Sequence, residues 1–119
     1  MKHWILTVLT VVGFALSTHA QEKKNKNAKV DIEVLGNCDM CKKRIEKAAY
    51  TVKGVKSAEW HAEDQTLHLI IDENRTNSKN IQEAVANAGH DTKIGESSIK
   101  ATNETYNNLH HCCMYDRAE

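Results

Sequence analysis

The hydrophobic positions of this chain follow two periods, and the change from one to the other predicts its secondary structure. Val30, Ile32 and Val34 alternate with polar neighbours, which is typical of a half-buried strand. Apolar residues of the next segment, Lys42 to Val52, instead recur three or four positions apart, which predicts a helix. The same two patterns return later: we predict strands at 55–62, 66–71 and 91–94 and a second helix at 78–88.

Local signals set the ends of the two helices and define the order of the elements. Gly54 and Gly89 follow the helical patterns and are expected to end them, while Ser78 is the expected N-cap of the second helix. The order strand, helix, strand, strand, helix, strand predicts the α+β class. The expected fold is a ferredoxin-like βαββαβ antiparallel sandwich with both helices on one face of the sheet.

The N-terminal residues have a different character. A short basic start precedes an apolar run from Trp4 to Leu16, and the small residues that follow end at Ala20. This layout predicts a cleaved secretory signal peptide at 1–20, because a membrane anchor would need about 20 apolar residues. We therefore expect an exported protein, periplasmic in a Gram-negative bacterium, that is not membrane-embedded after cleavage. The polar residues 21–28 predict a flexible leader.

Charge and composition argue against several functions. The segment after the predicted signal carries 15 basic and 16 acidic residues, so no basic field is available to bind nucleic acid. No phosphate-binding glycine loop and no familiar catalytic motif is present. We therefore expect neither an enzyme nor a small-molecule substrate.

The strongest chemical signal is the pair Cys38 and Cys41, which lies between the first strand and the first helix. A helix N-terminus favours thiolate over thiol. Two convergent thiolates form a ligand set for a soft ion such as Cu(I), Hg(II), Cd(II) or Zn(II). The chain has four cysteines, and the other two, Cys112 and Cys113, are adjacent. Because adjacent cysteines bridge each other only with strain, the spacing favours metal or redox chemistry over structural disulfides.

Residues 29–95 resemble the heavy-metal-associated domain family of exported copper chaperones, periplasmic mercuric-ion-binding proteins and ATPase N-terminal domains. The resemblance rests on the placement of the cysteine pair and on the matching residues Gly36, Cys38, Cys41, Arg44 to Ala48, Lys53-Gly54-Val55 and Ala88-Gly89-His90. The family commonly has a Met two positions before its first cysteine. Here the sequence is Gly36-Asn37-Cys38, without that Met.

The resemblance implies a carrier of Cu(I), with Hg(II) as the alternative ion, that passes its cargo to a metal-transporting or metal-accepting protein. Cys38 and Cys41 would hold the ion, and sulfur atoms of the partner would take it over through three-coordinate intermediates. His90 lies in the loop that the family places beside the cysteines. We therefore regard His90 as a candidate third ligand or pH-sensitive tuner.

The C-terminal extension, residues 96–119, contains a helical pattern over 99–110 and then the cluster His110-His111-Cys112-Cys113. Several interpretations remain open. Cys112 and Cys113 could form a second soft-metal site, fold back onto the first site, form a disulfide that anchors the tail, or remain free at a loose terminus. His61 and His68 belong to predicted strands, and we expect both to face solvent.

Functions of other classes compete with metal transfer. A Cys-x-x-Cys pair in an exported protein also suits thiol–disulfide exchange, but thioredoxin-type domains use a cis-proline and this chain has no Pro. A structural zinc site would pair two Cys-x-x-Cys units at closer spacing. Metal sensing is a further alternative, because the sequence does not separate sensing from carrying.

Overall fold

The computed structural model describes residues 24–117 of the 119-residue chain, so the predicted signal peptide and the start of the leader lie outside the described residues. Within that range no helix is long and apolar enough to cross a bilayer. The elements in chain order are β1 (Ala28–Val34), α1 (Asp39–Tyr50), β2 (Val55–His61), β3 (Thr66–Ile71), α2 (Ser78–Asn87), β4 (Thr92–Ile94), β5 (Ser97–Ile99) and α3 (Asn103–Asn107), followed by a 3-10 turn (His111–Cys113).

The sheet confirms the predicted α+β, ferredoxin-like arrangement. Its strands are all antiparallel and lie in the order β2-β3-β1-β4-β5. The central strand β1 pairs with β3 from Ala28 opposite Ile71 to Glu33 opposite Thr66. The core contains large side chains from the sheet and from both long helices: Ile32, Ile45, Trp60, Leu67, Ile71, Ile81 and Val85.

The ends of α2 and the course of the chain after β4 differ from the prediction. Asn77, not Ser78, is the N-cap of α2, because the Asn77 side chain accepts a hydrogen bond from the Asn80 N–H at 3.0 Å. Both residue types can cap a helix, so the sequence pattern alone did not separate these neighbours. The predicted helix over 99–110 is wrong in extent: its start belongs to β5, an edge strand beyond β4, and only Asn103–Asn107 is helical.

The segment after β5, residues 100–117, is called the tail below. It returns across the domain and joins the core. Leu109 is buried and packs over Gly89, where a Cβ atom would lie 2.8 Å from Leu109 Cδ2. Gly89 also has a φ of 108°, a conformation that side chains other than glycine rarely adopt. The residue that follows α2 therefore both turns the chain and leaves space for the tail.

Tyr115 fixes the end of the tail through its hydroxyl group. The hydroxyl donates a hydrogen bond to the Gly89 carbonyl at 2.8 Å and accepts one from the Asp91 N–H at 2.8 Å. The ring is 2% exposed and stacks on the imidazole of His90, with ring centroids 5.5 Å apart. One side chain thus satisfies two backbone groups of the loop after α2.

An ion pair reinforces this attachment. The Arg117 guanidinium binds both carboxylate oxygens of Asp91 at 3.0 Å, and the Asp91 side chain is only 7% exposed. Arg117 also donates a hydrogen bond to the Ala101 carbonyl at 2.7 Å. Such two-pronged pairing is geometrically specific, so the tail is held in one position on the domain.

We expect Tyr115→Phe to lower the free energy of unfolding by about 2 kcal/mol, because it leaves a buried N–H and a buried carbonyl without a partner. Urea unfolding of the reduced protein measures this change. Tyr50→Phe is the matched control, since the exposed Tyr50 hydroxyl accepts one hydrogen bond, from the Ala58 N–H. A loss in Tyr115→Phe no greater than that in the control would contradict the anchoring role.

Candidate metal centre

The first thiol pair, Cys38 and Cys41, lies at the junction between β1 and α1. Cys38 is the N-cap of α1 and has an extended backbone, and Cys41 is in the first helical turn. The helix begins earlier than the predicted Lys42, which brings Cys41 inside it. Gly36 allows the approach of the loop to the core: a Cβ atom there would lie 3.0 Å from the Trp60 ring and 3.1 Å from Cys41 Cβ.

The second thiol pair meets the first. Cys38 Sγ lies 3.6 Å from Cys41 Sγ, 3.0 Å from Cys112 Sγ and 3.4 Å from Cys113 Sγ. The sulfur atoms of Cys38, Cys41 and Cys113 all lie within 4.8 Å of one another, and Cys112 Sγ is 3.9 Å from Cys113 Sγ. The geometry thus corresponds to the alternative in which the tail folds back onto the Cys38/Cys41 site.

The sulfur cluster, meaning the four cysteine sulfurs, has a buried side and an accessible side. Cys41 and Cys113 are fully buried, whereas Cys38 and Cys112 are half-buried. The exposed Met40 adds a thioether on the accessible side, with its Sδ 3.6 Å from Cys112 Sγ. An ion or an incoming ligand therefore reaches the cluster past Cys38 and Cys112.

Hydrogen bonds among the sulfurs concentrate negative charge on Cys38. The Cys112 thiol lowers the pKa of Cys38 to about 6, the Cys41 backbone and the Cys113 thiol act in the same direction, and partial burial opposes them. The same contact raises the pKa of Cys112, and burial raises the pKa of Cys113. At neutral pH the cluster therefore contains a Cys38 thiolate with both tail thiols as hydrogen-bond donors.

His90 is buried and contacts both Tyr115 and Leu35, and its role as a third ligand or pH-sensitive tuner stays a prediction. Its ring is fully buried, Nδ1 is 2.8 Å from the Leu35 carbonyl oxygen, and burial lowers its pKa. Among residues 24–117 its Nε2 has no hydrogen-bond partner, and the imidazole is not part of the group of close thiols. His90 instead contacts Tyr115 of the tail and Leu35. Leu35 is the first residue of the cysteine loop, residues 35–38, which joins β1 to α1 and contains Cys38.

Lys42, the cationic residue directly after Cys41, has partners of its own. Lys42 Nζ donates a hydrogen bond to the Trp60 carbonyl at 3.0 Å and pairs with Glu46 at 3.2 Å. Lys42 therefore ties the first turn of α1 to β2. Lys43 is exposed.

Tyr115, Arg117 and Asp91 position the second thiol pair, yet no sequence motif identified them. Each contact joins residues more than twenty positions apart, which periodicity along the chain does not reveal. The signal that the sequence did contain was the aromatic Tyr115 placed directly after a run of metal-ligand residues.

These features define a heavy-metal-binding domain, and comparisons with known proteins agree. The model of the heavy-metal-associated domain matches residues 37–91. A copper chaperone CopZ of Staphylococcus haemolyticus (strain JCSC1435) is 31% identical over 67 residues, which are 56% of this chain and 97% of that protein. The chain belongs to the heavy-metal-associated domain family. Cys112 and Cys113 lie beyond the segment that the family model matches.

Solved structures show the same fold. A copper form of a CopA variant from Bacillus subtilis is 28% identical, covers 60% of this chain and 95% of its own, and superposes with a TM-score of 0.52. Oxidized MerP from Ralstonia metallidurans CH34 covers 59% of this chain and 99% of its own with a TM-score of 0.55. At 24% identity the MerP likeness establishes the fold alone.

We expect alkylation of Cys38 by iodoacetamide to follow a titration with its midpoint near pH 6, because only the thiolate reacts. In Cys112→Ala the midpoint moves to higher pH, so the variant reacts more slowly than wild type between about pH 6 and 8. Mass spectrometry of the Cys38 peptide measures the rates. Met114→Ala, which truncates an exposed side chain on the same tail, is the control. Equal midpoints in Cys112→Ala and wild type would contradict the assigned hydrogen bond.

Proposed function

We propose that this protein carries Cu(I) outside the cytoplasm and transfers it to a metal-transporting or metal-accepting protein. The observation that carries the proposal is the convergence of Cys38, Cys41 and Cys113 within 4.8 Å, with Cys112 against Cys38. Heavy-metal binding is the property of the family, and copper is the ion named for both CopZ and the copper form of CopA. The signal-like residues 1–20 support the compartment.

The donor set favours Cu(I) over harder ions. Thiolates are soft ligands that select Cu(I), and no carboxylate belongs to the close group of thiols in the described residues. Cys38 is already ionised at neutral pH, so it can make the first bond without losing a proton. A bond to a tail thiol, whose pKa is raised, displaces a proton, and Cu(I) affinity therefore increases with pH.

The tail provides a sulfur that the cysteine pair of the loop lacks. Cys113 lies on the buried side with Cys41, and Cys38 is close to both. An ion between these three sulfurs would be held by two residues of the loop and one of the tail. We therefore assign Cys38 and Cys41 as the primary ligands and Cys113 as the ligand that closes the site.

Transfer requires a partner's sulfur to enter as a tail sulfur leaves. Cys112 lies on the accessible side, beside the exposed Met40, and can move aside without opening the core, which gives the partner's sulfur access to the ion. The fixed attachment at Tyr115 keeps the Cys113 thiol nearby after it leaves the ion, where it competes with the acceptor. The tail thus increases retention of the ion and slows its release to a partner.

We expect the double variant Cys112→Ser/Cys113→Ser to bind Cu(I) at least about tenfold more weakly than wild type, a loss of about 1.4 kcal/mol. The same variant should hand Cu(I) more rapidly to a dithiol acceptor domain. Competition with a chromophoric Cu(I) chelator measures affinity, and stopped-flow mixing measures transfer.

Two further variants make this test decisive. His111→Ala changes the same tail without removing sulfur, keeps the His110 side chain on the Cys112 N–H, and should retain wild-type affinity. Cys38→Ser/Cys41→Ser should lose high-affinity binding. Wild-type affinity in Cys112→Ser/Cys113→Ser would exclude a tail ligand, and wild-type affinity in Cys38→Ser/Cys41→Ser would overturn the proposed function itself.

A further inference from the structure

A second group of ligand side chains lies on the face of the sheet opposite the helices. His61 ends β2, His68 lies in β3, and Asp64 belongs to the turn between them. One ligand atom from each of these residues lies within 4.8 Å of the others. None of them contributes to the sulfur cluster.

Strand register explains why these residues meet. Trp60 and Leu67 pair across β2 and β3 and point into the core, so the adjacent His61 and His68 point to the outer face. The two histidines are diagonal neighbours there, with ring centroids 4.9 Å apart. The short connection between the strands returns Asp64 to the same place.

Carboxylates orient the two histidines, and a backbone N–H orients Asp64. Asp31, opposite His68 in β1, accepts a hydrogen bond from His68 Nδ1 at 2.8 Å, which directs Nε2 towards Asp64. Glu59 lies 3.1 Å from His61 Nε2. Asp64 Oδ1 accepts a hydrogen bond from the Thr66 N–H at 3.0 Å, which leaves Oδ2 for His68. Carboxylate–histidine pairs of this kind are the usual support of metal-ligating imidazoles.

We propose that His61, Asp64 and His68 form a binding site for a divalent ion of borderline softness, of the Zn(II) class, separate from the sulfur cluster. Imidazole and carboxylate suit Zn(II) and Cu(II), whereas the sulfur cluster suits Cu(I). The protein then carries two metal sites of different chemistry.

The distances suit such an ion. Ligand atoms of a tetrahedral zinc site are about 3.3 Å apart, given Zn–N and Zn–O bonds of about 2.0–2.1 Å. His68 Nε2 and Asp64 Oδ2 are already 3.1 Å apart as a hydrogen-bonded pair, and the ion would take the place of the proton between them, which leaves to solvent. His61 and His68 are 39% exposed, so small side-chain rotations can close the remaining distance and water can complete the coordination.

The test uses the reduced full chain with its sulfur cluster first filled by Ag⁺, a soft ion that will not exchange for Zn²⁺. Zn²⁺ is then titrated while the imidazole carbon–proton signals are followed by NMR. We expect saturable, equimolar shifts of the His61 and His68 rings. These residue-specific signals report on this site even if Ag⁺ binds elsewhere, so failure here is distinguishable from failure of the proposed function.

Three variants test which side chains bind the ion and which only orient them. His68→Ala should weaken Zn²⁺ binding by at least about tenfold. Asp31→Asn, which removes only the orienting carboxylate, should weaken it about 10- to 100-fold. Glu33→Gln removes the same charge from the same strand and should leave the affinity almost unchanged. The proposal is overturned if the His61 and His68 signals do not respond to Zn²⁺, or if His68→Ala binds as wild type does.

Discussion

The attachment of the tail at Tyr115 is the constraint on which the candidate metal centre depends. Its hydroxyl joins the Gly89 carbonyl to the Asp91 N–H, and the Arg117–Asp91 ion pair holds the following turn. Without these contacts Cys112 and Cys113 would not be held beside Cys38, and an ordered third sulfur would be lost. The attachment point lies in the loop after α2, which places the tail beside the cysteine loop.

The four sulfurs differ in charge and burial, and these differences give them different roles. Cys38 is the ionised and partly accessible ligand, and its charge is stabilised by thiols that come from a segment more than seventy residues away. Cys41 and Cys113 are buried beneath it. An ion can therefore make its first bond to the ionised Cys38 without displacing a proton. It is held more tightly once the tail thiols also lose their protons and bind it. The His–Asp group uses harder donors and does not compete for the same ion.

Much of this could be predicted from the sequence because local periodicity determines it. The alternation at Val30, Ile32 and Val34 and the helical spacing after Cys41 correctly predicted β1 and α1, and the position of Cys38 and Cys41 at a helix N-terminus predicted their approach. The path of the tail could not be predicted, because it depends on Leu109 packing over Gly89 and on Tyr115 binding a loop. The burial of His90 follows from those same long-range contacts.

X-ray absorption at the copper edge of the chain loaded with one equivalent of Cu(I) tests the central claim most directly. Closure of the site by the tail predicts that copper has three sulfur neighbours, and that Cys112→Ser/Cys113→Ser reduces them to two. Copper with only two sulfur neighbours in the wild-type protein would contradict this account.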